Sequence, residues 1–433
     1  MELSPGTPVD LEALGSARVR RKLGEGGQGF VYEVMRPAGQ SLALKWYKPI
    51  SATAEQHRSL RYLVDHGSPD RRFLWPLALA HTAGHPGFGY AMRLRDERYI
   101  DLTYLVTGTG PRGETIDPSF ATVITVCRHL TECFLRLHAR GMCYRDINFH
   151  NVFFHPRSGD ILVCDNDNIG IDDGQGGIRG TPFFMAPQLV RDVSFKTAPS
   201  TQTDLHSLAV LLFYLLCMDH PLTGAKTDAG LRGQDWLIEH FGRNPVFVFD
   251  PDDDSNRPLS ARTLAYWQTY PRFVRDLFVQ AFTEGLHEPS ARVRETEWVK
   301  ALQRLRDASM PCVSCGQTSF WDEAEPNRPC VRCGSPLPTP LVLQVGRHRI
   351  VLSSLTRLWS DHIDPNAEQP RLLGRVRPHP HDAGRWGLQN LSELTWQVRL
   401  PDGQTDPLAP GKAVEIIPGL ELEVGTASAV VLA

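Results

Sequence analysis

The 433-residue sequence predicts an α+β fold in three consecutive zones. Three observations carry this. Residues 14–308 alternate strand-like and helix-like patterns with few long gaps. Residues 309–339 are short, proline-rich and hold four of the nine cysteines. Residues 340–433 contain strand-like runs punctuated by Gly, Pro and Asp, with no helix pattern. At about 150 residues per domain, the length allows two or three domains. Pro336, Pro338 and Pro340 form a stiff joint into the last zone.

Composition narrows the function. With 41% hydrophobic and 22% charged residues the chain is neither mostly disordered nor fibrous. Lys and Arg (46) nearly balance Asp and Glu (49), which disfavours a protein that grips nucleic acid by neutralising phosphates. The longest apolar run, Leu208–Met218, falls short of the ~20 residues that cross a bilayer, so no membrane association is expected. The first residues, Met1-Glu2-Leu3-Ser4-Pro5, lack a basic and an apolar leader segment. The cysteines are too few for a disulfide scaffold. A soluble cytoplasmic protein is expected.

In the first zone, Gly24-Glu25-Gly26-Gly27-Gln28-Gly29-Phe30-Val31 lies between two strand-like runs, Val19–Leu23 and Phe30–Val34. The glycines therefore belong to a hairpin and not to a strand-to-helix turn, which argues against a dinucleotide fold. Such a loop is either merely flexible or lets backbone N–H groups close on phosphate oxygens. Lys45 sits inside the apolar strand Leu42-Ala43-Leu44-Lys45-Trp46. It is either an edge lysine that snorkels to water or a cation aimed at phosphates.

A helix over about 118–140 leads to Tyr144-Arg145-Asp146-Ile147-Asn148-Phe149-His150-Asn151 and then to an apolar strand. Asp146 and Asn151 in that loop can point a carboxylate at a hydroxyl and an amide oxygen at a metal. A second strand, Ile161-Leu162-Val163-Cys164, ends in Asp165. Each of these alone is also a polar turn at a strand end.

In this order and spacing the signals resemble the protein kinase family over about 290 residues. Gly180-Thr181-Pro182 through Ala186-Pro187 resembles the end of an activation segment. Asp204 before an apolar helix and Arg292 late in the zone match two further family positions. The resemblance implies a bilobal kinase-like fold, with an N-lobe over about 14–95 and a C-lobe over about 96–308. It implies that Gly24, Gly26 and Gly29 cover the phosphates of ATP, that Val31 and Ala43 sandwich the adenine with Met92 also at the nucleotide, and that Lys45 holds the α/β-phosphates. Asp146 accepts the proton of the attacking hydroxyl, and Asn151 and Asp165 hold Mg²⁺.

Several positions depart from the family pattern. Asn148 stands where serine/threonine kinases carry a lysine at the γ-phosphate, and it is placed in the catalytic set as a neutral replacement. Asn166-Asp167 replaces Phe-Gly after the metal aspartate. Gln188 replaces the acid that pairs with Arg292, so a neutral hydrogen bond is expected there. Tyr144 replaces the first histidine of the catalytic loop. The helix that supplies a carboxylate to the lysine offers Glu55, although Gln56 lies nearer its apolar face. Asp172 and Asp173 are candidates to face Arg145 in place of a phosphate. The small-molecule kinases share the Asp/Asn/Asp set but usually lack the glycine-rich loop, the Gly-Thr-Pro segment and the aspartate that matches Asp204, so a protein substrate is expected. A nucleotide-binding pseudokinase scaffold stays open beside an active serine/threonine kinase.

Cys312-Val313-Ser314-Cys315-Gly316 and Cys330-Val331-Arg332-Cys333-Gly334 are two matching knuckles. Four thiolates at this spacing close a structural tetrahedral Zn²⁺ site, and the module resembles a zinc ribbon. The last zone fits a small β-sandwich. Gly374-Arg375, Asn390 with Ser392, and Gly411 loosely resemble a forkhead-associated domain, in which Arg375 and Asn390 match phosphothreonine-reading positions. The Ser-x-x-His of that family is missing, and a non-binding interaction sandwich is the other reading. His379-Pro380-His381 reads as loop histidines. The whole architecture resembles bacterial kinases of tellurite-resistance-type stress systems, which implies a von Willebrand A-type protein and a metal-dependent protein phosphatase as partners.

Overall fold

The computed structural model describes residues 2–171, 180–228, 230, 232–364, 367 and 370–433, with backbone alone at Ala383. Asp172 and Asp173 therefore lie outside the described residues. The chain forms two compact units, Met1–Leu259 with Val279–Thr296, and Ser260–Phe278 with Glu297–Ala433.

In the first unit six strands close an antiparallel barrel in the order β1-β2-β3-β4-β6-β5. They are β1 (Pro8–Leu11), β2 (Gly15–Glu25), β3 (Gly29–Met35), β4 (Ser41–Tyr47), β5 (Ala78–His81) and β6 (Gly89–Arg93). The barrel thus begins ahead of residue 14. Strand β4 shows why an apolar strand can carry a lysine. Leu42, Leu44 and Trp46 belong to one buried cluster, while Ala43 and Tyr47 belong to another. Lys45 shares the second face by the period of two. At Gly29 a Cβ would lie 2.5 Å from the Trp46 carbonyl oxygen, so β3 and β4 approach there only with glycine.

Helix α1 (Ala54–His66) starts at Thr53, whose side chain accepts from the Gln56 N–H, and it buries Leu60 and Leu63. The helix expected over 118–140 spans Phe120–His138, capped by Ser119. After it come the loop Tyr144–Asn148 and an antiparallel pair, Val152–Phe154 with Ile161–Val163. The long apolar run, up to its last residue Met218, lies in helix Thr201–Cys217, which is buried on nearly every face and so reads as a core helix. Among the described residues no helix is long and apolar enough to cross a membrane.

The second unit holds helix Ala261–Thr269, the cysteine knuckles and two antiparallel sheets. Strands Ser309–Pro311 and Thr318–Phe320 pair beside the first knuckle. One sheet has six strands and the other four, and both contribute to a single apolar cluster through Leu343, Val376, Leu388, Trp396 and Leu422.

Candidate active site and metal centre

The barrel and the loops after helix Phe120–His138 bring the expected residues together. Lys45, on β4, donates to Asp165 Oδ1 at 3.0 Å and lies 2.9 Å from Asp167 Oδ1. Asp165 is in the left-handed region (φ 53°), which turns the chain so that residues 165 and 167 both reach the lysine. One hairpin away, Asn151 donates to Asp146 Oδ2 at 3.0 Å and to the Asp146 carbonyl at 2.8 Å. The Cys164 N–H donates to the Asn151 carbonyl at 2.9 Å, which ties the two halves of the site. The Asp146 carboxylate also accepts from Thr181 Oγ1 at 2.7 Å.

The floor of this site is apolar. Ala43, Met92 and Leu162 share one buried cluster against which Val31 packs, and Ala43 and Met92 are cross-strand partners. Above it, at Gly24 and Gly26, an added Cβ would meet nothing within 4 Å. The chain's own packing does not demand glycine at these two positions, in contrast to Gly29.

Residues 101–245 match the protein kinase domain family model. A protein kinase domain is present. Protein kinase YegI of Escherichia coli K12 is 25% identical over 303 residues, covering 68% of this chain and 45% of that protein. Serine/threonine-protein kinase PknD of Chlamydia caviae is 23% identical over 244 residues, covering 48% of this chain and 24% of its own length. Serine/threonine-protein kinase 10 of Xenopus tropicalis is 30% identical over 102 residues, or 22% of this chain and 11% of that one. The chain thus spans less than half the length of these relatives.

Two of the expected site residues make contacts other than those expected. Glu55 is exposed in the first turn of α1, and Lys45 pairs with Asp165 and Asp167 instead. The cause is the helix phase. Gln56 faces inward and donates to Tyr47 Oη at 3.1 Å and to the Asp167 carbonyl at 3.0 Å. Asn148 is buried and committed to the loop. It donates to the Asp146 carbonyl and to Thr181 Oγ1, and it accepts from the His150 N–H. Its side chain thus ties the Asp146 backbone to Thr181.

Asp167 is the residue the sequence reading missed. Its side chain is fully buried, and Tyr47 and Tyr90 donate to it at 2.5 and 2.9 Å. Burial alone would raise its pKa, but Lys45 and these hydroxyls hold it below the usual carboxylate range. Burial likewise opposes the charge on Lys45, and the two carboxylates hold its ammonium above the ordinary lysine range. Gln28 from the glycine-rich hairpin accepts from Lys45 at 3.0 Å and donates to Asn168 at 3.1 Å.

Asp204 accepts from the N–H groups of Tyr144 and Arg145 at 2.5 and 2.9 Å, and so fixes the backbone ahead of Asp146. Arg292 donates to Gln188 Oε1 at 2.7 Å, the neutral bond expected there. Tyr144 is buried and donates its hydroxyl to the Cys164 carbonyl. A nearby imidazole, that of His138, bonds Asp204 at 3.1 Å and also Glu295. Burial disfavours its charge, yet the two carboxylates outweigh burial and lift its pKa to about 9.

A folded pKa raised above the ordinary histidine value of about 6.5 is a stabilising contribution that is complete below that pH and lost as pH climbs through 9. The contribution is of order 3 kcal/mol. Between pH 6.5 and 9.5 the wild-type urea midpoint is expected to fall more steeply than that of His138→Gln. Parallel curves for the two proteins would contradict the linkage.

In the second unit, Cys312, Cys315, Cys330 and Cys333 offer four sulfurs that all lie within 4.8 Å of one another. Cys312–Cys333 and Cys315–Cys330 Sγ distances are both 3.7 Å. A tetrahedral zinc with Zn–S bonds of about 2.3 Å requires edges of about 3.8 Å, so the donor set fits. The knuckles repeat each other. Gly316 N–H donates to the Cys312 carbonyl and Gly334 N–H to that of Cys330, with φ of 71° and 72°. Glycine is what such turns need.

Of the phosphothreonine-reading candidates, Asn390 is fully buried and donates to the Leu394 and Leu408 carbonyls. Its oxygen accepts from Ser392. It staples a loop. Arg375 is exposed and donates to Gln389.

Proposed function

We propose that the chain is a Mg-ATP-dependent serine/threonine protein kinase that moves the γ-phosphoryl of ATP to a protein hydroxyl. The observation that carries this reading is the convergence of Lys45, Asp165, Asn151 and Asp146 above an apolar floor. In this reading Val31, Ala43 and Met92 receive the adenine, and the N–H groups around Gly24, Gly26 and Gly29 close on phosphates. Lys45 binds phosphate oxygens. The Asn151 side-chain nitrogen is spent on Asp146, which leaves the side-chain oxygen Oδ1, with the Asp165 carboxylate, as hard donors suited to Mg²⁺. The bound ion supplies neutralisation of phosphate charge. Asp146 orients the attacking hydroxyl and takes its proton, and Asn148 and Thr181 hold Asp146 in place.

The same reading assigns 14–308 to the kinase-like domain, 309–339 to a structural zinc ribbon and 340–433 to a β-sandwich of the forkhead-associated type. The apolar cluster shared by the two sheets supports the sandwich. The burial of Asn390 favours a protein-interaction sandwich over phosphothreonine reading. A cytoplasmic bacterial stress or signalling role, with a von Willebrand A-type protein and a metal-dependent phosphatase as partners, rests on the order of the three modules.

Incubation of the full chain with γ-labelled ATP and Mg²⁺ is expected to label the chain itself or a generic serine-rich acceptor, and EDTA is expected to abolish the label. Tight Mg-ATP binding without transfer would support the pseudokinase scaffold instead.

A further inference from the structure

Lys45 is buried, with 6% of its side chain exposed, and a buried ammonium needs a permanent counter-ion. Two carboxylates touch it, and they differ in what else they can do. Asp165 leaves 44% of its side chain open, as a group that is to meet an incoming cation must. Asp167 leaves none. We infer that Asp167 is the positioning residue that holds Lys45 for the phosphates, so that Asp165, which also accepts from Lys45, can turn to the metal without leaving the ammonium unpaired. This deepens the kinase reading and rests on it.

Protein kinases assign the task to a glutamate on the helix after the lysine strand. Helix α1 cannot supply it here. Glu55 is exposed, and the residue turned inward, Gln56, is neutral. Asp167 is instead built into the barrel wall. Tyr47 from β4 donates to Oδ2 at 2.5 Å, and Tyr90 from β6 donates to Oδ1 at 2.9 Å. Lys45 and Tyr90 are themselves cross-strand partners. The ammonium and its counter-ion are thus fixed by the same two strands. Gln56 only braces the arrangement, through Tyr47 Oη and the Asp167 backbone. Without Asp167, Lys45 would keep Asp165 as its one carboxylate partner among these contacts, and the metal would have to compete for it.

The test moves the charge. Asp167→Asn in the full chain is expected to raise KM for Mg-ATP and lower kcat for phosphate transfer, each by about tenfold or more. Adding Gln56→Glu to Asp167→Asn returns a carboxylate from the helix side, and it is expected to restore at least about tenfold in kcat/KM. A purely structural role for Asp167 would not respond to a charge placed on another element. Full activity of Asp167→Asn, or a folded double variant no better than the single one, overturns the inference. Should Asp167→Asn fail to fold, Tyr47→Phe removes one donor to Asp167 while keeping both charges. It is expected to raise KM for Mg-ATP severalfold at nearly unchanged kcat, and an unchanged KM overturns the inference. Failure of the kinase reading itself is distinguishable, because it shows as absent transfer by the wild-type chain.

Discussion

Asp146→Asn is expected to lower the rate of phosphoryl transfer by on the order of 10²–10⁴-fold while leaving Mg-ATP affinity within a few-fold of wild type. The substitution is nearly isosteric. Asp146 accepts from Thr181 Oγ1 at 2.7 Å and from Asn151 Nδ2 at 3.0 Å, and an asparagine oxygen can keep one of these bonds. It cannot take up a proton. The loss should therefore fall on kcat and not on KM, since the hydrogen bonds to this carboxylate come from Thr181 and Asn151, outside the barrel that carries Lys45. Steady-state transfer of label from ATP, read beside nucleotide titration, checks both halves. A variant that transfers at the wild-type rate would remove Asp146 from the chemistry. A variant that no longer binds nucleotide would mean that the loop, and not the base, had been disturbed.

The second large effect concerns the four cysteines. Metal analysis is expected to find one zinc per chain, and Cys312→Ser is expected to lose it. Cys312 is buried, and its carbonyl accepts the Gly316 N–H within the first knuckle. With two inter-knuckle sulfur distances at 3.7 Å, all four thiolates are positioned to close around one ion and leave no site for water. A structural zinc of this kind contributes on the order of 10 kcal/mol to a small module, more than the short strand pair beside it could replace. Loss of the metal should reach further into the unit. Phe320 stacks on Tyr270 with ring centroids 5.7 Å apart, and Asp322 pairs with Arg304 at 2.8 Å. Limited proteolysis should open cleavage within 309–339 in the variant or after chelation. An unchanged protease pattern with zinc removed would show that the knuckles fold without it.

The most legible parts of the fold were those where chemistry and local geometry coincide. Glycines between two strand patterns gave the hairpin, and the lysine's place in an apolar strand gave its face. The helix expected over 118–140 lies within those bounds, because its cap Ser119 and its apolar stripe are local signals. The cysteine knuckles announced themselves by spacing. Asp167 was not legible because its role is set by tertiary partners. Its signals were indirect: a buried lysine without an inward helix carboxylate, with one tyrosine on its own strand and another on the strand beside it. His138 was hidden in the same way, since its partners Asp204 and Glu295 are far along the chain.

In the last zone, strands Leu372–His379 and Asp382–Asn390 escaped notice. They are rich in Arg, Gly and His, and each has few core side chains, Val376 in the first and Leu388 in the second. Pairing with neighbours, not composition, makes them strands. The compact units also could not be read from composition, because Ser260–Phe278 groups with residues distant in sequence.

The inward glutamine of α1 has a pharmacological corollary. Wedging this helix away from the barrel would break the two bonds that Gln56 makes, to Tyr47 and to the Asp167 backbone, and leave the bridge between Lys45 and Asp167 standing. A ligand that displaces the helix should therefore leave the bridge in place, whereas one lodged against the two tyrosines would strike it directly.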